Sequence, residues 1–285
     1  MPDISKIIDN LAKLPTENLL ILVALAAMAL AAFAIYAVHS IASKKGRRLM
    51  PLTEWVRLPT AWIENNGLRH FRWGASGSDH IAALMSLMAI AHHANQDDGV
   101  SKLTYDELTK FTALSRAKVS AGLKKLEEEK LIERNSLLQS VYKLSNYDSA
   151  RGWGKLPAKG LYSADREISA FSEFGLRKAG ELNALKLFFL FVSRRDNNTN
   201  MANISYDKIQ IYTGIERNNI KRGLSILVLN GLIHVEAIPI QNKEYGVAHA
   251  YRFPHIQPYI HAATRGRGTL GSDLGNSTGL VVEEL

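Results

Sequence analysis

Three kinds of apolar patterning follow one another along the chain. Residues 18–42 are a run rich in Leu, Ile, Val, Ala, Met and Phe that contains no Asp, Glu, Lys or Arg. Beyond residue 79 apolar positions recur every three or four residues, as in Ile81, Leu84, Met85 and Met88, or Val119, Leu123 and Leu126. That interval is the period of an amphipathic helix. Short apolar stretches flanking polar turns, at 131–134 with 140–144 and at 232–238 with 247–253, read as pairs of strands.

Polar residues between these runs set the helix boundaries. A helix over 79–93 is ended by Asn95-Gln96-Asp97-Asp98-Gly99. Thr104 and Glu107 have the spacing of a capping box, which starts a second helix that runs to about residue 112. Ala113-Leu114-Ser115 is then a turn, and Ser115 stands where it can cap a third helix over 116–129. The same succession predicts helices over 181–195, 205–213 and 217–230.

This recurrence is a sequence repeat. Residues 80–133 match residues 181–234 at a constant offset of 101 with no gap. Tyr105-Asp106 becomes Tyr206-Asp207, Thr112 becomes Thr213, Arg116 becomes Arg217, Gly122-Leu123 becomes Gly223-Leu224, and Leu131-Ile132 becomes Leu232-Ile233. Register held across helix, turn, helix and strand marks a duplication. Trp55-Val56-Arg57-Leu58-Pro59 also matches Trp153-Gly154-Lys155-Leu156-Pro157, and Trp73-Gly74 matches Phe174-Gly175. Each copy is then roughly 90 to 100 residues, the size of a small domain. The expected organisation is a short segment 1–17, a transmembrane helix 18–42, a basic linker 43–52, domains at 53–147 and 148–256, and a Gly-, Ser- and Thr-rich flexible tail 257–285.

At about 1.5 Å per residue the run 18–42 can cross a ~30 Å hydrocarbon core. Its basic residues, Lys44, Lys45, Arg47 and Arg48, follow the apolar stretch, the reverse of a secretory signal peptide. They are expected to meet the headgroups of a bacterial inner membrane and to hold the repeats on its cytoplasmic side. Ile4, Ile7, Ile8, Leu11 and Leu14 give the segment ahead of the span one apolar face that suits a membrane surface. Ala24, Ala27, Ala31 and Ala34 form a small-residue stripe along which two spans can pair as a homodimer.

The packing faces determine which residues point outward in the repeats. With Val119, Leu123 and Leu126 turned inward, the helix over 116–129 presents Arg116, Lys118, Ser120 and Lys124. The helix over 217–230 presents Arg217, Asn218, Lys221, Arg222 and Ser225, and Lys243 sits at the tip of the following hairpin. Small and basic residues on the second helix of a helix-turn-helix suit a major groove, where Arg pairs with guanine, Asn with adenine, and Ser and Lys with phosphate. The richer second helix is the better base reader.

Composition agrees with a polyanionic partner. The chain has 285 residues, is 46% hydrophobic and 22% charged, and carries a formal net charge of +8. That balance favours nucleic acid or an anionic lipid surface. With no cysteine, disulfides and thiolate metal sites are excluded. Ser115 and Lys118 have the spacing of an acyl-enzyme motif but stand alone, and His80, His92 and His93, replaced by Glu181, Ser193 and Arg194 in the second copy, read as surface histidines. No nucleophile, base and orienting group form a set, so neither an enzyme, a cofactor nor a small-molecule substrate is expected.

The helix, turn, helix and hairpin of each copy, with Leu123 to Ile132 near the common "Leu-x-Lys/Arg-Leu-x-x-x-Gly/Lys-Leu-Ile" pattern, resembles the winged helix-turn-helix superfamily. The tandem pair is similar to the layout of plasmid replication initiators, with a membrane anchor added. The resemblance covers about residues 53–254 and implies double-stranded DNA binding by the two outward helix faces. The expected fold is therefore α+β, mainly α, with an N-terminal transmembrane helix ahead of two winged helix-turn-helix domains. The expected function is membrane-anchored DNA binding for transcription regulation or for replication, maintenance or transfer of a plasmid or mobile element. The alternative is a membrane-associated assembly protein whose winged helices bind other proteins.

Overall fold

The computed structural model describes residues 51–134, 140–239 and 247–256. The first copy runs β1 (Trp55–Pro59), a one-turn helix α1 (Ala61–Glu64), a 3-10 turn (Gly67–His70), α2 (Gly77–His92), β2 (Val100–Lys102), α3 (Tyr105–Thr112), α4 (Arg116–Glu128), β3 (Ile132–Arg134) and β4 (Val141–Leu144). The second runs β5 (Trp153–Pro157), two 3-10 turns, α5 (Ala179–Arg194), β6 (Met201–Asn203), α6 (Tyr206–Thr213), α7 (Arg217–Leu229), β7 (His234–Pro239) and β8 (Val247–Arg252). The described fold is α+β, with seven α-helices and small sheets.

Local chemistry explains the element ends. At the start of α3 the Glu107 amide donates to Thr104 Oγ1 (3.2 Å) while the Thr104 amide donates to the Glu107 carboxylate (2.6 Å), so two otherwise orphaned donors are satisfied together. α3 and α6 end identically in the two copies. Thr112 and Thr213 each donate from Oγ1 to a carbonyl four residues back, Leu108 or Ile209, at 2.6 Å. The same oxygens accept the amides of Leu114 and Ile215, locking the turn. The chain then passes through a left-handed residue, Ala113 (φ 56°) in the first copy and Gly214 (φ 67°) in the second.

Each copy carries a three-stranded antiparallel sheet, β2-β4-β3 or β6-β8-β7, where the sequence pattern gave only a hairpin. Strands β2 and β6 have three residues each, too few to show a period. Tyr142 and Tyr251 occupy matching places, opposite Ser101 with Arg134 and Ala202 with Val235. Since 251 − 142 = 109, against the offset of 101, the second hairpin is longer by 8 residues.

α2 and α5 are buried on nearly every side. Every residue from Ile81 to His92 lies in the interior, as does the run from Leu185 to Val192. Each of these helices packs on the third helix of its own copy, α4 or α7, and they pack on each other. The close approach to α4 and α7 passes over glycines. A Cβ on Gly122 would lie 2.8 Å from the Ala82 backbone, and one on Gly223 2.8 Å from the Leu187 methyl Cδ1.

The copies are joined into one compact unit. β1 and β5 pair antiparallel in a register centred on Arg57 opposite Lys155, so that Trp55 faces Pro157 and Pro59 faces Trp153. The two tryptophan rings stack at 5.8 Å. Arg57 lies 5.2 Å from the Trp153 ring and Lys155 4.6 Å from the Trp55 ring, a crossed pair of cation–π contacts. The segments after these strands also cross over. The 3-10 turn of the first copy lies against α6, and Ile168 of the second donates to the Phe111 carbonyl at the end of α3 (2.9 Å).

His92 and His93, expected on the surface, sit in this junction. His92 is buried, with Nε2 2.8 Å from the Pro157 carbonyl and Nδ1 3.0 Å from the Tyr162 hydroxyl. A carbonyl only accepts, so Nε2 carries the proton and Nδ1 accepts from Tyr162. Burial, with a lesser contribution from His93, lowers the His92 pKa to about 3. His93 stacks on Phe111 at 4.4 Å, and burial above all lowers its pKa to about 4.

The expectation of a transmembrane helix is corrected for this fold. Among the described residues no helix is long and apolar enough to cross a membrane. The apolar helices α2 and α5 have 16 residues each, about 24 Å, short of a ~30 Å core, and their apolar surface is spent inside the protein. Residues 18–42, together with 1–17, the basic residues Lys44, Lys45, Arg47 and Arg48, and the tail 257–285, lie outside the described residues.

Two outcomes test this packing. Gly122→Ala meets backbone and is expected to destabilise by about 2 kcal/mol, whereas Gly223→Ala meets a movable methyl and costs under about 1 kcal/mol in chemical denaturation. For the histidines the folded pKa values lie below the unfolded one, so folding stability is fully present above pH 6.5 and falls as pH drops from 6.5 toward 4 and 3. Each histidine contributes up to about 1.4 kcal/mol per pH unit in that window. Thermal melting of His92→Gln should show a shallower acid dependence than the parent; an unchanged slope contradicts the assignment.

Candidate nucleic-acid interface

The outward faces of α4 and α7 are built by one rule. On α4, Ser115 caps the helix by accepting the Lys118 amide (3.3 Å), and Val119, Gly122, Leu123 and Leu126 turn inward. On α7, Ile220, Gly223, Leu224 and Leu227 do so, and the capping position holds Glu216 with no side-chain cap. Most of the remaining positions are exposed, the others half-buried.

Of the residues singled out on α4, Ser120 and Lys124 are exposed. Arg116 is exposed too, and its guanidinium pairs with Asp106 of α3 at 3.1 Å. Lys118 turns back toward the start of α2, where Nζ lies 2.7 Å from both Ser78 Oγ and Asp79 Oδ1. On α7, Arg217, Asn218, Lys221, Arg222 and Ser225 are all exposed. Ser225 Oγ donates to the Lys221 carbonyl (2.9 Å), and Arg217 pairs with Asp207 at 2.7 Å while lying 5.6 Å from the Tyr206 ring. Lys243 lies outside the described residues.

The Arg116–Asp106 and Arg217–Asp207 pairs are the same contact in both copies, from the first residue of the outward helix to the first turn of the helix before it. Both carboxylates are mostly exposed, so each pair orients its guanidinium more than it stabilises the fold. The acidic run after α4's basic face is also engaged. Glu127 takes Arg134 of β3 in a two-point contact (2.5 and 2.7 Å), and Glu129 pairs with Lys125 (2.5 Å) and His70 (2.6 Å).

One group of cations was not singled out from sequence. Arg69 and Arg72, in the segment before α2, line a cleft with Lys186 of α5. A signal was present in the repeat, because Lys186 stands where the first copy has the core residue Met85. Compared with known proteins, the chain matches no family model, and no curated protein is detectably similar to it in sequence.

Double-mutant cycles through Arg116→Ala with Asp106→Ala, and Arg217→Ala with Asp207→Ala, should give coupling energies below about 1 kcal/mol in thermal denaturation. A coupling well above that, in either copy, would show a structural role in place of an orienting one.

Proposed function

We propose that the protein binds double-stranded DNA through the outward faces of α4 and α7, as a single-chain pseudo-dimer that recognises one asymmetric, two-part site. The observation that carries this reading is the pair of helix-turn-helix units with exposed polar and basic faces, related by the two-fold register of β1 and β5. Two-fold related helix-turn-helix units suit the symmetry of duplex DNA. Here the two faces differ, with Arg116, Ser120 and Lys124 on one and Arg217, Asn218, Lys221 and Arg222 on the other. Unlike faces call for unlike half-sites.

The second face is the base reader in this proposal. Arg217 is oriented by Asp207 and can present its fork to guanine, while Asn218 can pair with adenine. On the first face the positive charge of Lys118 is already balanced by Asp79, which leaves Arg116, Ser120 and Lys124 for phosphate contacts. The net charge of +8 supplies the sequence-independent attraction. The biological settings that fit are transcription control and the replication, maintenance or transfer of a plasmid or mobile element. A second reading, docking of a protein partner, draws on Leu229, an apolar residue 84% exposed at the end of α7.

The full chain should retard duplex DNA, with the logarithm of affinity falling linearly against the logarithm of salt at a slope near −0.9 per neutralised phosphate. Once a preferred site is selected, Arg217→Ala or Arg222→Ala should reduce preference over random DNA by about 1–3 kcal/mol, and Lys124→Ala should weaken both alike. No binding at low salt sinks the proposal in favour of the protein-docking reading. Equal losses on preferred and random DNA for the arginine variants sink base reading.

A further inference from the structure

Met85 of the first copy is wholly buried, and the residue 101 positions on is Lys186, only 4% exposed. An ammonium in a core slot is costly unless it is paired. Among the described residues its one hydrogen-bond partner is the neutral Phe71 carbonyl, 2.8 Å from Nζ. Burial, followed by the nearby Arg72 and Arg69, lowers its pKa to about 8, so all three influences oppose its charge.

The three cations line an open cleft of about 350 Å³. Arg69, Arg72 and Trp73 enter it from the first copy, Asn183 and Lys186 from α5, and Asn219 from α7, with Glu216 as the single carboxylate on its wall. The matching region of the first copy is self-neutralised. There Lys118, in the place of Asn219, is bound to Ser78 and Asp79, whose counterparts are Ala179 and Gly180. The second copy thus has Gly180 where the first has Asp79, and a buried cation where the first has Met85.

We infer that this cleft binds a phosphate group, with Lys186, Arg69 and Arg72 as cationic ligands and Asn183 and Asn219 as donors to the remaining oxygens. Forked guanidinium groups and an ammonium are the usual complement of a phosphate. An incoming dianion would supply the counter-charge that Lys186 lacks. Trp73, 43% exposed on the rim, offers a face on which an attached base can stack. The phosphate comes either from a free nucleotide or from a duplex backbone that reaches the cleft; binding of a free phosphate does not require the DNA reading to hold.

The test titrates the full chain with inorganic phosphate and with dAMP at low salt, read by tryptophan fluorescence and calorimetry. The variants are Lys186→Met, which restores the first copy's core residue, and Arg72→Ala at the rim. Lys186→Met should melt no lower than the parent and bind dAMP at least about tenfold more weakly. Arg72→Ala is expected to show the same loss, so the inference does not hang on one substitution. If Lys186→Met weakens dAMP but leaves duplex DNA affinity alone, the ligand is a free nucleotide. If it also lowers the salt slope of DNA binding by about one, the ligand is a backbone phosphate. The inference is overturned if neither dAMP nor phosphate binds the parent and the variants keep the parental DNA affinity and salt slope, or if the variants bind dAMP as the parent does.

Discussion

Mutual burial of α2 and α5 is the constraint on which the rest of the fold depends. Neither helix has a continuous solvated face along its middle turns, so nearly all of its surface must be covered. Its own copy covers part of that surface with α4 or α7, and the other copy covers more. The paired strands β1 and β5, their stacked tryptophans and the crossed cation–π contacts close the junction at one side. A single copy taken alone would leave Phe111, His92 and Phe189 without part of their packing, and in that sense the duplicated units are halves of one core.

This shared interior separates two kinds of position. Residues that hold each unit together change little between copies: the Thr112 and Thr213 clamps and the glycines Gly122 and Gly223. Residues released from packing have diverged. Ser115 and Lys118 give way to Glu216 and Asn219, and, against this rule, the packed Met85 gives way to Lys186. The last exchange lies inside the core, which is why it stands out as chemistry and not as drift on a solvated face.

Much of the fold was legible in the sequence where the signal was periodic or local. The starts of α3 and α4 follow from Thr104 and Ser115, because caps act within four residues of themselves, and α6 and α7 follow by the repeat. Strands β2 and β6 escaped because three residues hold no period. The match of Trp55–Pro59 with Trp153–Pro157 was visible as a repeat but not as a pairing, since strand partnership between distant segments is a tertiary fact. The same junction buried His92, whose partners Pro157 and Tyr162 lie more than sixty residues away. Of the candidate interface, the exposed faces of α4 and α7 could be read from helix spacing, while the inward turn of Lys118 and the convergence of Arg69, Arg72 and Lys186 required three dimensions.

The register of β1 on β5 has a further consequence. A ladder centred on one residue pair, with Trp55 opposite Pro157 and Pro59 opposite Trp153, is one that two identical strands can form with each other. An ancestor with a single copy could therefore have assembled by the same contact as a symmetric dimer, bound to change both halves at every mutation. Two copies in one chain are free of that coupling. The longer β7–β8 hairpin and the buried lysine are differences that a symmetric pair of chains could not have acquired on one side only.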